Sequence, residues 1–346
     1  MSAISSADVT VQVDGNKVWL RFQFDRSMID HIKATIPGRR WDSDNKAWWA
    51  PSSSLSAIHL ALPDAHMLGS SKAAAERDKM KRTALAGTSI TKGGSQPDGI
   101  DVELYEFQKA GVHVLSKLTH ALLADEMGLG KTLESIAWAH NRRVSGKGTL
   151  CIVPASVKWK WAREIKAARP TDRVMVIDTP DVSNLGGLWG TPDWVVVNYE
   201  RIWRKGVKAA LRKANFHAVI LDEAHRIKNP KANRSIVAME HAQKAAEVIC
   251  LTGSPIINRP EEIFNVLVAL NHFKRVDRWW FLQRFCGAEK HVYGWGEHSK
   301  ARWDFSGASN LPELHGHLRA LMVRRLKKDV LPDLPPKVYS YHMVNK

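Results

Sequence analysis

Hydrophobic and polar positions alternate near the start of the chain and give way, further on, to solid apolar runs. Val18, Leu20, Phe22 and Phe24 alternate with polar residues, the period of a strand with one buried face. Ile29, Ile32 and Ile36 fall on one face of a short helix that Pro37-Gly38 stops. Arg39-Arg40-Trp41 and Ala47-Trp48-Trp49 flank the polar turn Asp42-Ser43-Asp44-Asn45-Lys46 and predict a hairpin. Residues 1–66 therefore hold a compact α+β module, its patterned part beginning near residue 8. Residues 67–100 are rich in Ala, Ser, Gly, Lys and Thr without apolar periodicity, so a linker is expected. It is expected to be helical around Lys72–Arg82 and flexible around Gly93-Gly94-Ser95.

From residue 101 the period changes. Ala121–Ala124, Thr149–Val153, Val174–Ile177, Trp194–Val197, Ala218–Leu221 and Val248–Leu251 are apolar on both faces, which suits a parallel sheet covered on both sides. Amphipathic stretches such as Leu133–Arg143, Trp159–Ala168 and Ala232–Lys244 lie between them. The prediction is an α/β domain of doubly wound type. Beyond Pro260 the chain turns helical, aromatic and basic as far as Lys328, and no internal repeat is visible.

Charge changes this picture more than length does. The 346 residues fit about two domains, and 44% hydrophobic with 25% charged residues is ordinary for a globular protein. Fifty-one Lys and Arg against 35 Asp and Glu leave a net charge of +16, which points to a polyanion such as nucleic acid or, more blandly, to a soluble basic surface. Cys151, Cys250 and Cys286 have no C-x-x-C spacing and His residues do not cluster, so no disulfide framework or structural metal is expected. No apolar run approaches the ~18 residues of a membrane span, and no signal-like apolar region opens the chain, so an intracellular protein with no membrane partner is expected.

Two motifs carry chemistry. Asp125-Glu126-Met127-Gly128-Leu129-Gly130-Lys131-Thr132 follows an apolar strand and opens a helix, the context of a phosphate-binding loop. Gly128, Leu129 and Gly130 would let backbone N–H groups cradle phosphates; Lys131 would reach the β- and γ-phosphates of ATP, and Thr132 would ligate Mg²⁺. The general pattern wants glycine where Asp125 stands. Val219-Ile220-Leu221-Asp222-Glu223-Ala224-His225 is an apolar strand ending in paired carboxylates. Asp222 suits the metal and Glu223 the attacking water, whereas the bland alternative is a solvated acidic turn.

Leu104-Tyr105-Glu106-Phe107-Gln108, the Gly128–Thr132 loop, Ile152-Val153-Pro154-Ala155, Val197-Asn198-Tyr199-Glu200, Asp222-Glu223-Ala224-His225 and Leu251-Thr252-Gly253-Ser254-Pro255 together resemble the ordered motifs of the first motor lobe of Swi/Snf-related ATPases, of helicase superfamily two. The Asp125 variant of the loop is the form this family uses. The resemblance implies a RecA-like lobe and places Gln108 and Tyr105 at the adenine. It implies that Thr252, Gly253 and Ser254 couple the nucleotide site to DNA, and that Ala155, Ser156, Asn198 and Tyr199 touch a strand's phosphates. Gly307–His315 and Met322–Leu331 resemble the annealing-helicase subfamily, in which Arg324-Arg325-Leu326-Lys327-Lys328 would serve as a hinge or brace rather than read bases. Ile36–Trp41 with Lys46–Pro51 resembles that subfamily's small HARP domain, which implies recognition of forks and single-strand/double-strand junctions by Arg39, Arg40, Lys46 and Trp49. Arginines can bind phosphates and Trp faces can stack on unpaired bases, although Trp41, Trp48 and Trp49 could equally fill a small core.

The resemblance implies a motor lobe over 101–337 with a helical protrusion at about 260–320, and the start of a connection to a second RecA-like lobe over 338–346. The second lobe's arginine-bearing motif of the Q-x-x-G-R-x-x-R type does not occur here, so that lobe is expected beyond Lys346 or on another polypeptide. The implied activity is that of a DNA-dependent ATPase that translocates on duplex DNA and remodels forks. The alternatives are a non-catalytic DNA- and nucleotide-binding recruitment module and, less favoured, an RNA substrate.

Overall fold

The computed structural model describes residues 8–14, 16–62, 65–68, 91–179, 182, 185, 191–253, 259–293 and 300–331. The expected helix around Lys72–Arg82, Ser254 and everything beyond residue 331 lie outside the described residues.

The N-terminal module is a five-stranded sheet with helices on one face. β1 (Thr10–Asp14) pairs antiparallel with β2 (Lys17–Arg21), which α1 (Arg26–Thr35) follows. Asp25 caps α1 by accepting from the Met28 N–H at 2.7 Å, and Ile36 closes its end before Gly38 turns the chain at φ +66°. β3 (Arg40–Asp42) and β4 (Ala47–Pro51) form the expected hairpin; Asp42 Oδ1 accepts from the Asp44 and Asn45 N–H groups at 3.1 and 2.9 Å. α2 (Leu55–Ala61) and β5 (His66–Leu68), the latter parallel to β1, complete the module and were not legible from the alternation. Val11, Val18, Leu20, Ile32, Ile36, Ala50 and Ile58 fill its core. Trp19, Trp49 and Arg40 are cross-strand partners in turn, so all three share the opposite face.

The larger unit begins before the expected boundary at 101. Gln96 bonds Ile100, Val102 and Leu104 of the main chain, and Ile100 is buried, so the segment before the first helix already packs on the lobe. That helix is α3 (Glu106–Leu115). β6 (His120–Leu123), α4 (Lys131–His140), β7 (Gly148–Val153), α5 (Lys158–Ala168), β8 (Val174–Ile177), β9 (Trp194–Asn198), α6 (Lys205–Lys213), β10 (Phe216–Leu221), α7 (Asn233–Lys244) and β11 (Glu247–Leu251) follow in order. All six expected strands enter one parallel sheet, ordered β14-β6-β11-β10-β7-β9-β8, where β14 is Met322–Val323. Alternate strand residues feed two cores. Leu123, Cys151, Ile220 and Leu251 meet Trp138 of α4 and Trp161 of α5 on one face. Leu122, Leu150, Val219 and Cys250 meet α6, α7 and the C-terminal helices on the other.

α8 (Glu261–Ala269) and α9 (Arg278–Phe285) bring Phe264, Phe281 and Phe285 into that second core, so much of the expected protrusion is part of the lobe. An antiparallel hairpin, β12 (Glu289–Tyr293) with β13 (Lys300–Asp304), interrupts the expected helical run. α10 (Leu311–Arg319), β14 and α11 (Lys327–Val330) end the described chain.

Candidate functional site

β6, β11 and β10 are neighbours in the sheet, so the loops at their C-terminal ends face one crevice, the place where open α/β sheets bind ligands. The loop after β6 turns through Gly128 at φ +86° and Gly130 at φ +75°, the left-handed backbone that favours glycine. Gly130 is also the residue from which α4 starts, so unpaired helix N–H groups face the crevice. Lys131 Nζ donates to the Asp125 and Glu126 carbonyls at 2.8 and 3.2 Å. Burial pushes its ammonium below the ordinary range, while Asp125, Glu223, Asp222 and Glu134 pull the other way. Thr132 lies half-buried in the first turn of α4.

Gln108 is buried, and its side chain is spent on the loop. Its Nε2 donates to the Leu129 carbonyl at 3.2 Å and the Gly130 carbonyl at 3.4 Å, while Oε1 accepts from the Tyr105 N–H at 3.0 Å. The Tyr105 ring is two-thirds exposed and stacked on Phe107, centroids 5.7 Å apart at 6°.

Asp222 and Glu223 emerge from β10 with opposite environments. Trp161 Nε1 donates to Asp222 Oδ2 at 2.8 Å and the Glu223 N–H to Oδ1 at 2.9 Å, yet burial dominates and raises the Asp222 carboxyl above its usual range. Glu223 is lowered, chiefly by His225, whose Nδ1 lies 3.3 Å from Oε2. Glu223 itself sits at φ +48°, ψ +54°, a strained setting for a residue with a Cβ and one that concentrates at functional sites. Tyr199, expected at a DNA strand, instead has its ring wholly in the core and donates its hydroxyl to the Asp222 carbonyl at 2.8 Å. Neither Trp161 nor Tyr199 could be matched to Asp222 by spacing, since 61 and 23 residues separate them from it.

Thr252 is buried at the end of β11, its N–H donating to the Leu123 carbonyl at 3.1 Å. A Cβ on Gly253 would lie 2.8 Å from Met127 Cγ, so the missing side chain lets this strand end press on the loop after β6. Ala155 and Ser156 are exposed after β7, and Asn198 ends β9 largely buried, its Nδ2 donating to Glu200 at 3.0 Å. In the N-terminal module Arg40 and Lys46 are exposed, while Arg39 and Trp49 are half-buried.

Behind the loop lies an ion cluster that sequence reading missed. Arg325, 3% exposed, donates Nε to both Asp125 oxygens at 3.1 and 3.0 Å and Nη2 to Glu134 Oε1 and Oε2 at 2.8 and 2.6 Å. Nη2 also reaches Asp125, and Nη1 the Phe107 carbonyl. Asp125 and Glu134 are fully buried, and burial pushes the Glu134 carboxyl up to about 8 although Arg325 opposes it. The departure from glycine at Asp125 was the visible signal; its partner 200 residues away was not.

The SNF2-related domain family matches residues 107–345. The chain is 36% identical over 265 residues to the DNA annealing helicase and endonuclease ZRANB3 of Mus musculus, covering 74% of this chain and 24% of that protein. It is 28% identical over 339 residues to the SWI/SNF-related matrix-associated actin-dependent regulator of chromatin subfamily A-like protein 1 homolog of Caenorhabditis elegans, covering 93% of this chain and 46% of that protein. Among solved structures, the Sulfolobus solfataricus SWI2/SNF2 ATPase core domain is similar over 72% of this chain and 49% of its own, with TM-score 0.56 and 25% identity. The chain therefore spans less than half the length of these relatives.

Proposed function

The chain belongs to the SNF2-related family, and from that premise we propose that it is the ATP-binding lobe of a DNA-dependent motor that remodels forks or junctions. The observation that carries the reading is the meeting, at neighbouring strand ends, of the phosphate loop, the Asp222–Glu223 pair and the Thr252-Gly253 turn. One relative points the same way, since it bears the name of a DNA annealing helicase.

The residues present fit a Mg-nucleotide. Left-handed glycines and the start of α4 form a cradle for phosphate oxygens, Lys131 supplies a point charge, and Thr132 and Asp222 would hold the metal. Mg²⁺, when bound with ATP, neutralises charge on the β- and γ-oxygens. Lys131 turns from the loop carbonyls to the phosphates. Glu223, held ionised by its lowered range, orients a water and takes its proton. Tyr105 offers its exposed ring to the adenine, while Gln108 holds the loop beneath it. Gly253 passes movement of the loop to β11, with Thr252 and Ser254 completing the coupling. Ala155, Ser156 and the Asn198 region meet the DNA backbone; Arg39, Arg40, Lys46 and Trp49 meet the junction.

Two variants test the site. Lys131→Ala should weaken ATP binding by at least tenfold in calorimetry, because one phosphate-facing charge is lost. Glu223→Gln should bind ATP normally and abolish DNA-stimulated phosphate release. Equal ATP affinity in wild type and Lys131→Ala would sink the nucleotide assignment. Turnover that never responds to DNA, even with a second lobe supplied, would favour the recruitment-module alternative.

A further inference from the structure

A cleft of about 570 Å³ separates the N-terminal module from the motor lobe, a volume within the ~300–1,000 Å³ of ligand sites. One wall is the open face of the module's sheet, with Lys17, Arg40 and Trp49. Lys17 Nζ and the Arg40 guanidinium lie 4.6 and 5.7 Å from the Trp49 ring centre. The other wall comes from residues 274–283 and brings Lys274, Asp277 and the exposed Trp279. Trp303 and Phe305 hold Trp279 edge-on at 5.4 and 5.6 Å, so its position is fixed although half its surface is open. The Trp280 indole fastens the two walls together by donating to the Ala34 carbonyl at 2.8 Å.

The floor holds an anomaly. Asp277 is 4% exposed; its Oδ2 accepts from the Lys274 N–H at 2.7 Å, yet its Oδ1 has no hydrogen-bond partner among the described residues. That oxygen would lie 3.2 Å from a Cβ on Gly38, whose φ of +66° and close approach to Pro51 keep the position bare. A buried carboxylate oxygen without a donor is costly unless a ligand supplies one.

We propose that this cleft is a composite site for an unpaired DNA nucleotide, with Lys17, Arg40 and Lys274 on its phosphates, Trp49 and Trp279 flanking its base, and Asp277 Oδ1 accepting from the base's exocyclic amine. The assignment rests on the reading that the chain works on DNA, and it adds that the motor lobe supplies half of the single-strand site. Cations on both walls require an anion, aromatic faces require a flat ring, and the carboxylate requires a donor; a nucleotide bearing an amino group meets all three. Cytosine presents such a donor at N4, whereas thymine presents an acceptor at the equivalent edge. A strand held here joins the module to α9, which packs in the same core as β10 and β11 of the ATP crevice.

The test uses the full chain and fluorescence anisotropy with labelled oligo(dC) and oligo(dT) of about ten nucleotides, a length one small fold covers, beside a blunt duplex. Trp279→Ala and Lys274→Glu, both at exposed positions of the lobe, should each lower single-strand affinity about tenfold, as Arg40→Glu should from the opposite wall. The loss should be larger for single strands than for duplex. Wild type should prefer oligo(dC), and Asp277→Asn should reverse that order, with melting temperature confirming that the variant folds. Loss confined to Arg40→Glu would overturn the composite site and leave the module acting alone. An unchanged order in Asp277→Asn would overturn the role of the carboxylate. Failure of the wider reading is distinguishable, because wild type would then bind neither oligonucleotide nor duplex.

Discussion

Two carboxylates share one guanidinium behind the loop after β6, and charge balance there should make the stability of the fold depend on pH. With Asp125, Glu134 and Arg325 all ionised the buried cluster would be net negative, which low dielectric disfavours. Burial relieves this by holding the Glu134 proton up to about 8, against 4.5 for an ordinary glutamate. The sign follows from proton uptake. Between about 4.5 and 8 the folded chain binds one more proton at Glu134 than the unfolded chain. Stability should therefore fall as pH rises through that window, by up to about 1.4 kcal/mol per pH unit, and level off above it. Glu134→Gln removes the titration, so the difference in melting temperature between variant and wild type should widen from pH 5 to pH 8 and then stay constant. A constant difference across the whole range would show Glu134 ionised throughout. At this scale Lys131, Asp222 and Glu223 could be picked out as candidates because each stands beside a glycine turn or an apolar strand end, and the fold brings all three to one crevice. The groups that set their environment could not be picked out: Trp161, Tyr199 and Arg325 arrive from distant parts of the chain, and nothing in local spacing ties them to the site.

Among elements, the short segment after α10 carries more than its length suggests. β14 adds two residues to the edge of the sheet beside β6, the Ala124 N–H donates to the Val323 carbonyl at 2.7 Å, and the Glu126 N–H donates to the Arg325 carbonyl at 3.0 Å. Glu126 in turn accepts from the Lys327 N–H at 2.8 Å. The loop after β6 is thus held from behind by residues 323–327. A lysine at position 325 cannot reproduce a fork that bonds two carboxylates and a carbonyl at once. Arg325→Lys should destabilise the fold by about 3–5 kcal/mol, the usual effect of breaking a buried ion pair, as read by denaturant unfolding. It should also weaken ATP binding although Arg325 touches no nucleotide. Arg325→Met with wild-type ATP affinity would show that the brace acts on stability alone. The long elements were readable because six two-sided apolar runs fit only a covered parallel sheet. β14, β5 and the β12–β13 hairpin were not, because two or three residues show no period and a surface hairpin needs no apolar face. The run after Pro260 divides: Phe264, Phe273, Trp280, Phe281 and Phe285 enter the main core through α8, α9 and the turn between them, while Trp279 stays at the surface against Trp303 and Phe305.

For the whole molecule, a net charge of +16 and the two surfaces proposed to meet DNA imply binding dominated by counterion release. Affinity for forked DNA should fall by about 10³-fold or more between 50 and 200 mM salt if six or more phosphates are engaged. Turnover is a separate matter. On the proposed reading, the candidate phosphate loop, metal acid and water-activating acid all lie at the C-terminal ends of neighbouring strands and face one open crevice. Charge that develops on the γ-phosphate needs a further cation, and an arginine delivered to it is worth about 10³–10⁵ in rate. One arginine beside the loop is already committed, since Arg325 is enclosed by Asp125, Glu134 and the Phe107 carbonyl. Arg226 is occupied with Glu200 at 3.0 Å. On the proposed reading, one lobe would hold the DNA backbone with a single grip, and stepping needs two. The chain by itself should bind DNA, bind ATP weakly and hydrolyse it very slowly even with forked DNA at saturation. Adding a matching second RecA-like lobe, in trans or fused in cis, should raise DNA-dependent phosphate release by about three orders of magnitude or more. The deciding measurement is steady-state phosphate release by the purified chain with saturating forked DNA, with and without that lobe. Robust turnover by the chain alone would overturn the requirement, and dependence of that rate on chain concentration would then show a second copy delivering the missing arginine.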